Sequence, residues 1–80
     1  MSWQIELTRA AARDLAALPK PVLKRVDAAL LALAVDPLPP WVKKLHGGDG
    51  LYRVRVSDYR IVYRVEQQVL TVLVIRIGSR

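Results

Sequence analysis

Apolar and polar residues alternate in the last third of the chain. From residue 52 to residue 56, the apolar Tyr52, Val54 and Val56 alternate with Arg53 and Arg55. A period of two is typical of an extended strand, because successive side chains of a strand point to opposite faces. We therefore predict a strand here with one buried face and one cationic face.

A second strand follows at residues 59–66. Ser57 and Asp58 favour a turn between the two runs, so the second run is expected to return antiparallel as a hairpin partner. Alternation continues through it, and Arg60 and Arg64 flank Val62 on one parity. The other parity carries the apolar set Tyr59, Ile61, Tyr63 and Val65.

A third strand is predicted at residues 69–77, after a polar break at residues 66–68. It is rich in β-branched residues and apolar on both faces apart from Arg76, as expected of a central, covered strand. If the three strands register, five arginines line one side of a three-stranded antiparallel meander. They are Arg53, Arg55, Arg60, Arg64 and Arg76.

The first half of the chain predicts one short strand and two helices. Residues 2–7 alternate between apolar and polar side chains, which favours a strand. Thr8 is a suitable N-cap for a helix that continues to about Leu18. Pro21 suits the first turn of a second helix that ends near Val35.

The second helix is apolar around more than half of its circumference. Its predicted buried stripe consists of Val22, Val26, Leu30 and Leu33. Leu23 and Leu31 lie beside that stripe. They either extend the core or form a small exposed strip on which a partner helix could dock, and the sequence leaves both interpretations open.

Residues 36–41 contain three prolines and cannot continue the helix. We expect a stiff connection with Trp41 pinned against the body of the protein. The glycines of residues 47–50 then allow a sharp entry into the hairpin. Helices that precede an antiparallel meander, with the N-terminal strand joining the sheet, give an α+β fold.

The length of 80 residues fits one domain that spans residues 1–80. The absence of cysteine excludes disulfides and thiolate metal sites. No apolar run approaches the roughly 20 residues of a membrane-spanning helix, and the N-terminus lacks the features of a secretory signal. We expect a cytoplasmic protein that does not bind a membrane.

The net charge of +6 comes from 13 Lys and Arg against 7 Asp and Glu. Such an imbalance suits a polyanionic partner such as nucleic acid or an acidic protein segment, although it also fits a basic surface with no specific partner. The sequence shows no Gly-rich phosphate loop, metal-ligand cluster or Ser/His/Asp set, and His46 is its only histidine. We therefore predict no metal and no small-molecule cofactor, and the sequence gives little support to histidine-based acid–base catalysis.

The arginine-rich hairpin resembles the RelE/ParE superfamily of bacterial and archaeal toxins. The resemblance lies in three segments, 52–56 (YRVRV), 59–63 (YRIVY) and 78–80 (GSR), and extends upstream to 43–47 (KKLHG). With the strand–helix–helix order of the first half, it covers nearly the whole chain. It implies a RelE-like fold and a role as the toxin of a type II toxin–antitoxin system.

Members similar to RelE cut mRNA in the ribosomal A site without a metal, by attack of the RNA 2′-hydroxyl on the adjacent phosphate. The resemblance implies that their catalytic basic residues correspond to Arg53, Arg55, Arg60 and Arg80 here. Further contacts with RNA are expected from Lys43, Lys44, His46, Arg64 and Arg76.

The sequence departs from the best-known active members in two places. Those members carry lysines at the positions of Arg53 and Arg55, and arginine is a poor proton acceptor because it stays protonated. They also carry a tyrosine beyond the Gly-x-Arg segment, where this sequence ends at Arg80. Three functions stay open: a ribosome-dependent endoribonuclease that inhibits translation, a ParE-like inhibitor of DNA gyrase that cuts nothing itself, and a module that only binds its antitoxin.

All three functions share one partner. The resemblance implies a cognate, RelB-like antitoxin whose acidic amphipathic segment wraps the toxin and covers its cationic face. A segment that folds on binding can span a large surface, although it loses conformational entropy in doing so.

Overall fold

The computed structural model describes residues 2–45 and 50–79, which form one five-stranded sheet and two helices. In chain order the elements are β1 (Gln4–Leu7), α1 (Arg9–Ala16), α2 (Lys20–Val35), β2 (Lys43–Lys44), β3 (Leu51–Val56), β4 (Tyr59–Glu66), a 3-10 turn (Gln67–Val69) and β5 (Thr71–Ser79). The strand order is β1-β5-β4-β3-β2. The predicted α+β class, with a strand, two helices and then antiparallel strands, is confirmed.

Strand β5 occupies the position that its composition predicts, with a neighbour on each side. It pairs antiparallel with β4 and parallel with β1. Parallel neighbours require a crossover connection, and both helices lie between β1 and β5 in the chain. The strand begins at Thr71, two residues later than predicted, because Gln67–Val69 form the 3-10 turn and Leu70 adopts a left-handed conformation with φ 47°.

The core lies between the two helices and one face of the sheet. Val54, Ile61 and Tyr63 are buried there, as the strand parity predicts. The buried core residues also include Ala11, Val26, Leu30, Leu33, Val72, Val74 and Ile77. The second helix therefore buries its predicted stripe, with Val22 packed at its margin, whereas Leu31 remains 69% exposed.

Helix α1 covers the part of β5 that extends past β1. The hydroxyl of Thr8 accepts from the Ala11 N–H at 3.0 Å, which confirms it as the N-cap, and donates to the Ile75 carbonyl at 2.8 Å. Asp14 accepts a hydrogen bond from the Ile77 N–H at 2.9 Å. These side chains form hydrogen bonds with backbone groups of β5 that would otherwise be unpaired at the edge of the sheet. The helix ends at Ala16, short of the predicted Leu18.

The proline-rich connection is anchored to the core, but its tryptophan is exposed to solvent. The buried Tyr63 hydroxyl donates to the Pro37 carbonyl at 2.7 Å, and burial raises the pKa of that hydroxyl, so it stays a donor. The expectation that Trp41 is pinned against the body is wrong, because Trp41 is 65% exposed. The anchoring is done instead by Pro37 and Pro39, which are both buried.

Within residues 2–45 and 50–79, no helix is both long enough and apolar enough to cross a membrane.

Candidate nucleic-acid interface

The register of the hairpin places three predicted catalytic arginines on one face of the sheet. Arg55 lies opposite Arg60, and Arg53 lies opposite Val62. Arg53 and Arg55 are two residues apart, as are Arg60 and Val62, so all four side chains lie on the same face. Ile61, between Arg60 and Val62, is fully buried on the core side. The three arginines therefore point away from the core, as predicted.

Strand β2 adds a lysine to this face. Its two residues pair with β3 so that Lys43 lies opposite Arg53. Residues Trp41, Lys43, Arg53, Arg55 and Arg60 line a common cavity of about 140 Å³. We call the four cationic residues, Lys43, Arg53, Arg55 and Arg60, the basic cleft.

A second and larger cavity adjoins the cleft at the end of the hairpin. It measures about 410 Å³ and is lined by Arg55, Asp58, Arg60 and Ser79. Gly78 lies opposite Arg60 in the β4–β5 ladder, and a Cβ atom added there would meet nothing within 4 Å. The sheet surface beside Arg60 is therefore open at Gly78.

The two-residue turn between β3 and β4 orients Arg55. The Nε of Arg55 donates to the Ser57 carbonyl at 3.1 Å, while Arg25 of α2 donates to the Ser57 hydroxyl at 2.6 Å. Ser57 has φ 56°, in the left-handed region that tight hairpin turns use. The Arg55 bond uses Nε alone, and the Arg55 side chain lines both cavities.

Arg76 also lies on this face by register, opposite Val62, but its guanidinium is paired with helix α1. Its Nε donates to Asp14 at 2.9 Å. The Arg76 hydrogen bond, followed by that of the Ile77 N–H, holds the pKa of the Asp14 carboxyl below its usual range. This gives Arg76 a structural contact, and its contact with RNA stays a prediction.

By register Arg64 lies on the same face of the sheet, opposite Leu51 of β3 and Leu73 of β5, but it does not line the cavity of the basic cleft. Its Nε is buried and has no hydrogen-bond partner within the described residues. Lys44 is opposite Tyr52, whose side chain packs against the core, so the parity of β2 directs Lys44 away from the basic cleft. The predicted RNA contacts of Arg64 and Lys44 also stay predictions.

His46, Arg80 and residues 47–49 of the glycine loop predicted at 47–50 lie outside the described residues. Among residues 2–45 and 50–79, no group of three or more His, Cys, Asp or Glu side chains is placed to hold a metal ion. Asp58, predicted only as a turn residue, and Ser79 were not predicted as site residues, yet both line the larger cavity. Asp58 lies in the turn before β4 and Ser79 is the last residue of β5, and the pairing of Tyr59 with Ser79 brings them together.

A family model described as the ParE toxin of type II toxin–antitoxin systems matches residues 5–80 of this chain. The chain belongs to the ParE toxin family. The matched span begins within β1, includes every later element and contains the whole basic cleft, so the ParE family assignment applies to the whole fold. The predicted resemblance to the RelE/ParE superfamily and the role as a RelE-like type II toxin are confirmed.

Three relatives of this ParE-family chain match it over its whole length and over more than nine tenths of their own. RelE1 of Methanocaldococcus jannaschii is 29% identical over 83 residues, which cover 100% of this chain and 92% of that protein. The crystal structure of the toxin–antitoxin complex RelBE2 from Mycobacterium tuberculosis contains a chain that is 29% identical, with a TM-score of 0.87 and 100% of both chains covered. The archaeal RelE–RelB complex from Pyrococcus horikoshii OT3 contains one that is 27% identical, with a TM-score of 0.86 and coverage of 100% and 97%.

Proposed function

We propose that this ParE-family toxin is a metal-independent, ribosome-dependent endoribonuclease that cleaves mRNA and so inhibits translation. The observation that supports it is the basic cleft, in which Lys43, Arg53, Arg55 and Arg60 line one cavity on an open sheet face. Like charges held this close repel one another, which favours a polyanion as the natural occupant. Guanidinium groups suit phosphate oxygens in particular, because their paired N–H groups bind two oxygens at once.

In the proposed reaction the RNA 2′-oxygen attacks the neighbouring phosphorus. A bond forms between these atoms, the bond from phosphorus to the 5′-oxygen of the next nucleotide breaks, and the leaving oxygen takes up a proton. Arg60 and Arg80 would stabilise the negative charge that develops on the phosphate, and Arg53 and Arg55 would hold the backbone in line. Because arginine stays protonated, we expect water to accept the proton of the 2′-hydroxyl.

Inhibition of DNA gyrase is the second candidate. It is favoured by the match of the ParE family model over residues 5–80 and by the arginines at positions 53 and 55, which stabilise charge but do not act as bases. In this case the basic cleft would bind the acidic surface of a protein or DNA and would break no bond.

A cell-free translation assay distinguishes the two candidates. The 5′ ends of mRNA are mapped by primer extension after addition of the wild-type protein, Arg60→Ala or Arg9→Ala. Arg9 is an exposed arginine on α1, far along the chain from the cleft, so its variant is matched in charge. We expect new 5′ ends in A-site codons with the wild type and Arg9→Ala, and a loss of at least 100-fold in cleavage with Arg60→Ala, as for removal of one charge-stabilising donor.

Intact mRNA in every reaction would contradict the endoribonuclease proposal. If DNA supercoiling by gyrase were inhibited in a parallel assay, the second candidate would replace it. Cleavage that Arg60→Ala leaves unchanged would keep the activity but remove Arg60 from the site.

We further propose that a RelB-like antitoxin binds the basic face of this toxin. The complexes from M. tuberculosis and P. horikoshii pair their toxins with antitoxins, and a cationic cleft suits an acidic segment. Charge reversal by Arg53→Glu or Arg60→Glu is expected to weaken binding of the cognate antitoxin at least 10-fold in a calorimetric titration, whereas Arg9→Glu is not. If Arg53→Glu and Arg60→Glu bound the antitoxin as tightly as the wild type and Arg9→Glu do, the antitoxin would bind another surface.

A further inference from the structure

Trp41 has an exposure that packing does not explain. It is 65% exposed although it is one of the largest apolar side chains. A tryptophan left in solvent without a partner forgoes the burial that usually holds this residue. Because Trp41 lies beside the basic cleft, a ligand bound in the cleft can contact it.

The backbone fixes Trp41 with respect to the cleft. The Val42 N–H donates to the Pro39 carbonyl at 3.2 Å, which closes a turn around residues 40 and 41. Pro39 is buried beneath that turn, and Lys43 enters the sheet opposite Arg53 two residues after Trp41. The indole is therefore held between a stiff, anchored turn and a hydrogen-bonded strand, with only its own two side-chain torsions free.

The indole shares its cavity with cationic side chains only. The cavity of about 140 Å³ is lined by Trp41 and the four residues of the basic cleft. A phosphate bound by the arginines would leave the attached sugar and base within reach of the ring. Aromatic side chains beside a basic groove hold unpaired bases by stacking, which is the usual mode for single-stranded RNA.

We propose that Trp41 is a base-stacking subsite for one unpaired nucleotide of the RNA held in the basic cleft. This inference rests on the proposed ribonuclease function and adds a positioning residue to it. Stacking fixes the plane of one base, and the phosphate next to that base is thereby held against Arg53, Arg55 and Arg60. The subsite tolerates any base, because every base presents a flat face, and larger purines are expected to bind better than pyrimidines.

The test combines a change in the protein with a matched change in the RNA. Single-turnover cleavage is measured on ribosomes whose A-site codon is intact or carries an abasic ribonucleotide at one position. We expect Trp41→Ala to raise the toxin concentration for half-maximal rate about 5- to 150-fold on intact RNA, which corresponds to the loss of one stacked base. Trp41→Phe keeps a flat ring and is expected to restore most of this loss.

The decisive measurement is the coupling between the two changes. At one codon position the abasic RNA is expected to weaken the wild type as much as Trp41→Ala does, and the two changes together are expected to cost no more than either alone. Arg60→Ala, in contrast, lowers the rate on both RNAs by the same factor. Because Trp41 is exposed, its variants are expected to unfold at the wild-type denaturant concentration, which separates a binding effect from misfolding.

Three results would overturn the inference. Trp41→Ala with unchanged cleavage would remove Trp41 from the site and leave the proposed function intact. Additive losses at every codon position would assign Trp41 to another contact. Intact mRNA with the wild-type toxin would overturn the proposed function itself, and the subsite would fall with it.

Discussion

Asp14 connects helix α1 to the edge of β5 through two kinds of partner. Its carboxylate accepts from the Ile77 N–H at 2.9 Å and from the Arg76 Nε at 2.9 Å. The Arg76 side chain is 64% exposed and that of Asp14 only 19%. Solvent screens the ion pair, so the bond to the backbone is expected to contribute most of the stabilisation.

Asp14→Ala is therefore expected to lower the free energy of unfolding by about 1–2 kcal/mol, because the Ile77 N–H loses its acceptor. Asp14→Asn keeps a carbonyl oxygen for Ile77 and is expected to cost less. Both values can be measured by urea denaturation at neutral pH. Equal stability of Asp14→Ala and the wild type would show that solvent replaces the carboxylate without loss.

The same contact predicts a dependence of stability on pH. The hydrogen bond from Arg76 holds the pKa of Asp14 below its usual range in the folded state. A lowered folded pKa stabilises the fold above the unfolded value of about 3.9, and this contribution disappears as the pH falls through the folded pKa. The difference between the wild type and Asp14→Ala is thus expected to be constant near neutral pH and to shrink below about pH 4. A difference that grows in acid would contradict this sign.

At the scale of elements, the like charges on the exposed face of the β3–β4 hairpin lower its stability. Arg55 lies opposite Arg60, and Lys43 of β2 lies opposite Arg53. Like charges directly across a strand pair are destabilising. The hairpin is nevertheless held by the buried Ile61 and Tyr63 on its other face, which allows the exposed face to keep a repulsive set for a ligand.

Arg60→Gln is expected to increase the free energy of unfolding by about 0.2–1 kcal/mol at low salt, since it removes one member of a like-charged pair. The gain should decline as salt is added, because salt screens exposed charges. Urea denaturation at low and high ionic strength measures both effects, and Arg9→Gln serves as the control for a loss of charge outside the hairpin. A destabilised Arg60→Gln would indicate that Arg60 makes a structural contact instead.

Strands in which apolar and polar residues alternate strictly were predictable from sequence. Elements that form only because they pair with another strand were not. The parity of residues 52–56 and 59–66 correctly predicts the core side and the cationic side of the hairpin, because a buried face enforces the period. Strand β2 has two residues, too few to show a period, and exists through its pairing with β3. The exposure of Trp41 was mispredicted because burial of Pro37 and Pro39 anchors the connection without it.

At the scale of the whole molecule, a net charge of +6 on 80 residues favours binding to polyanions of any sequence. The fold concentrates part of this charge in the basic cleft, but Arg76 is paired with Asp14 and Lys44 faces away. The number of cations that meet RNA is therefore expected to be smaller than the number that the sequence contains. This number can be counted from the salt dependence of binding.

Affinity for a labelled single-stranded RNA, measured by fluorescence anisotropy, is expected to fall linearly on a plot of log affinity against log salt. If the four cations of the basic cleft each neutralise one phosphate, the slope is about −3. Arg53→Ala and Arg60→Ala should each make the slope shallower by about 0.7, because each removes one phosphate contact. Trp41→Ala should weaken binding at every salt concentration and leave the slope unchanged, since stacking releases no counterion. A shallower slope in Trp41→Ala would mean that the indole acts by orienting the neighbouring cations, and an unchanged slope in Arg60→Ala would mean that the cleft is not where the backbone binds.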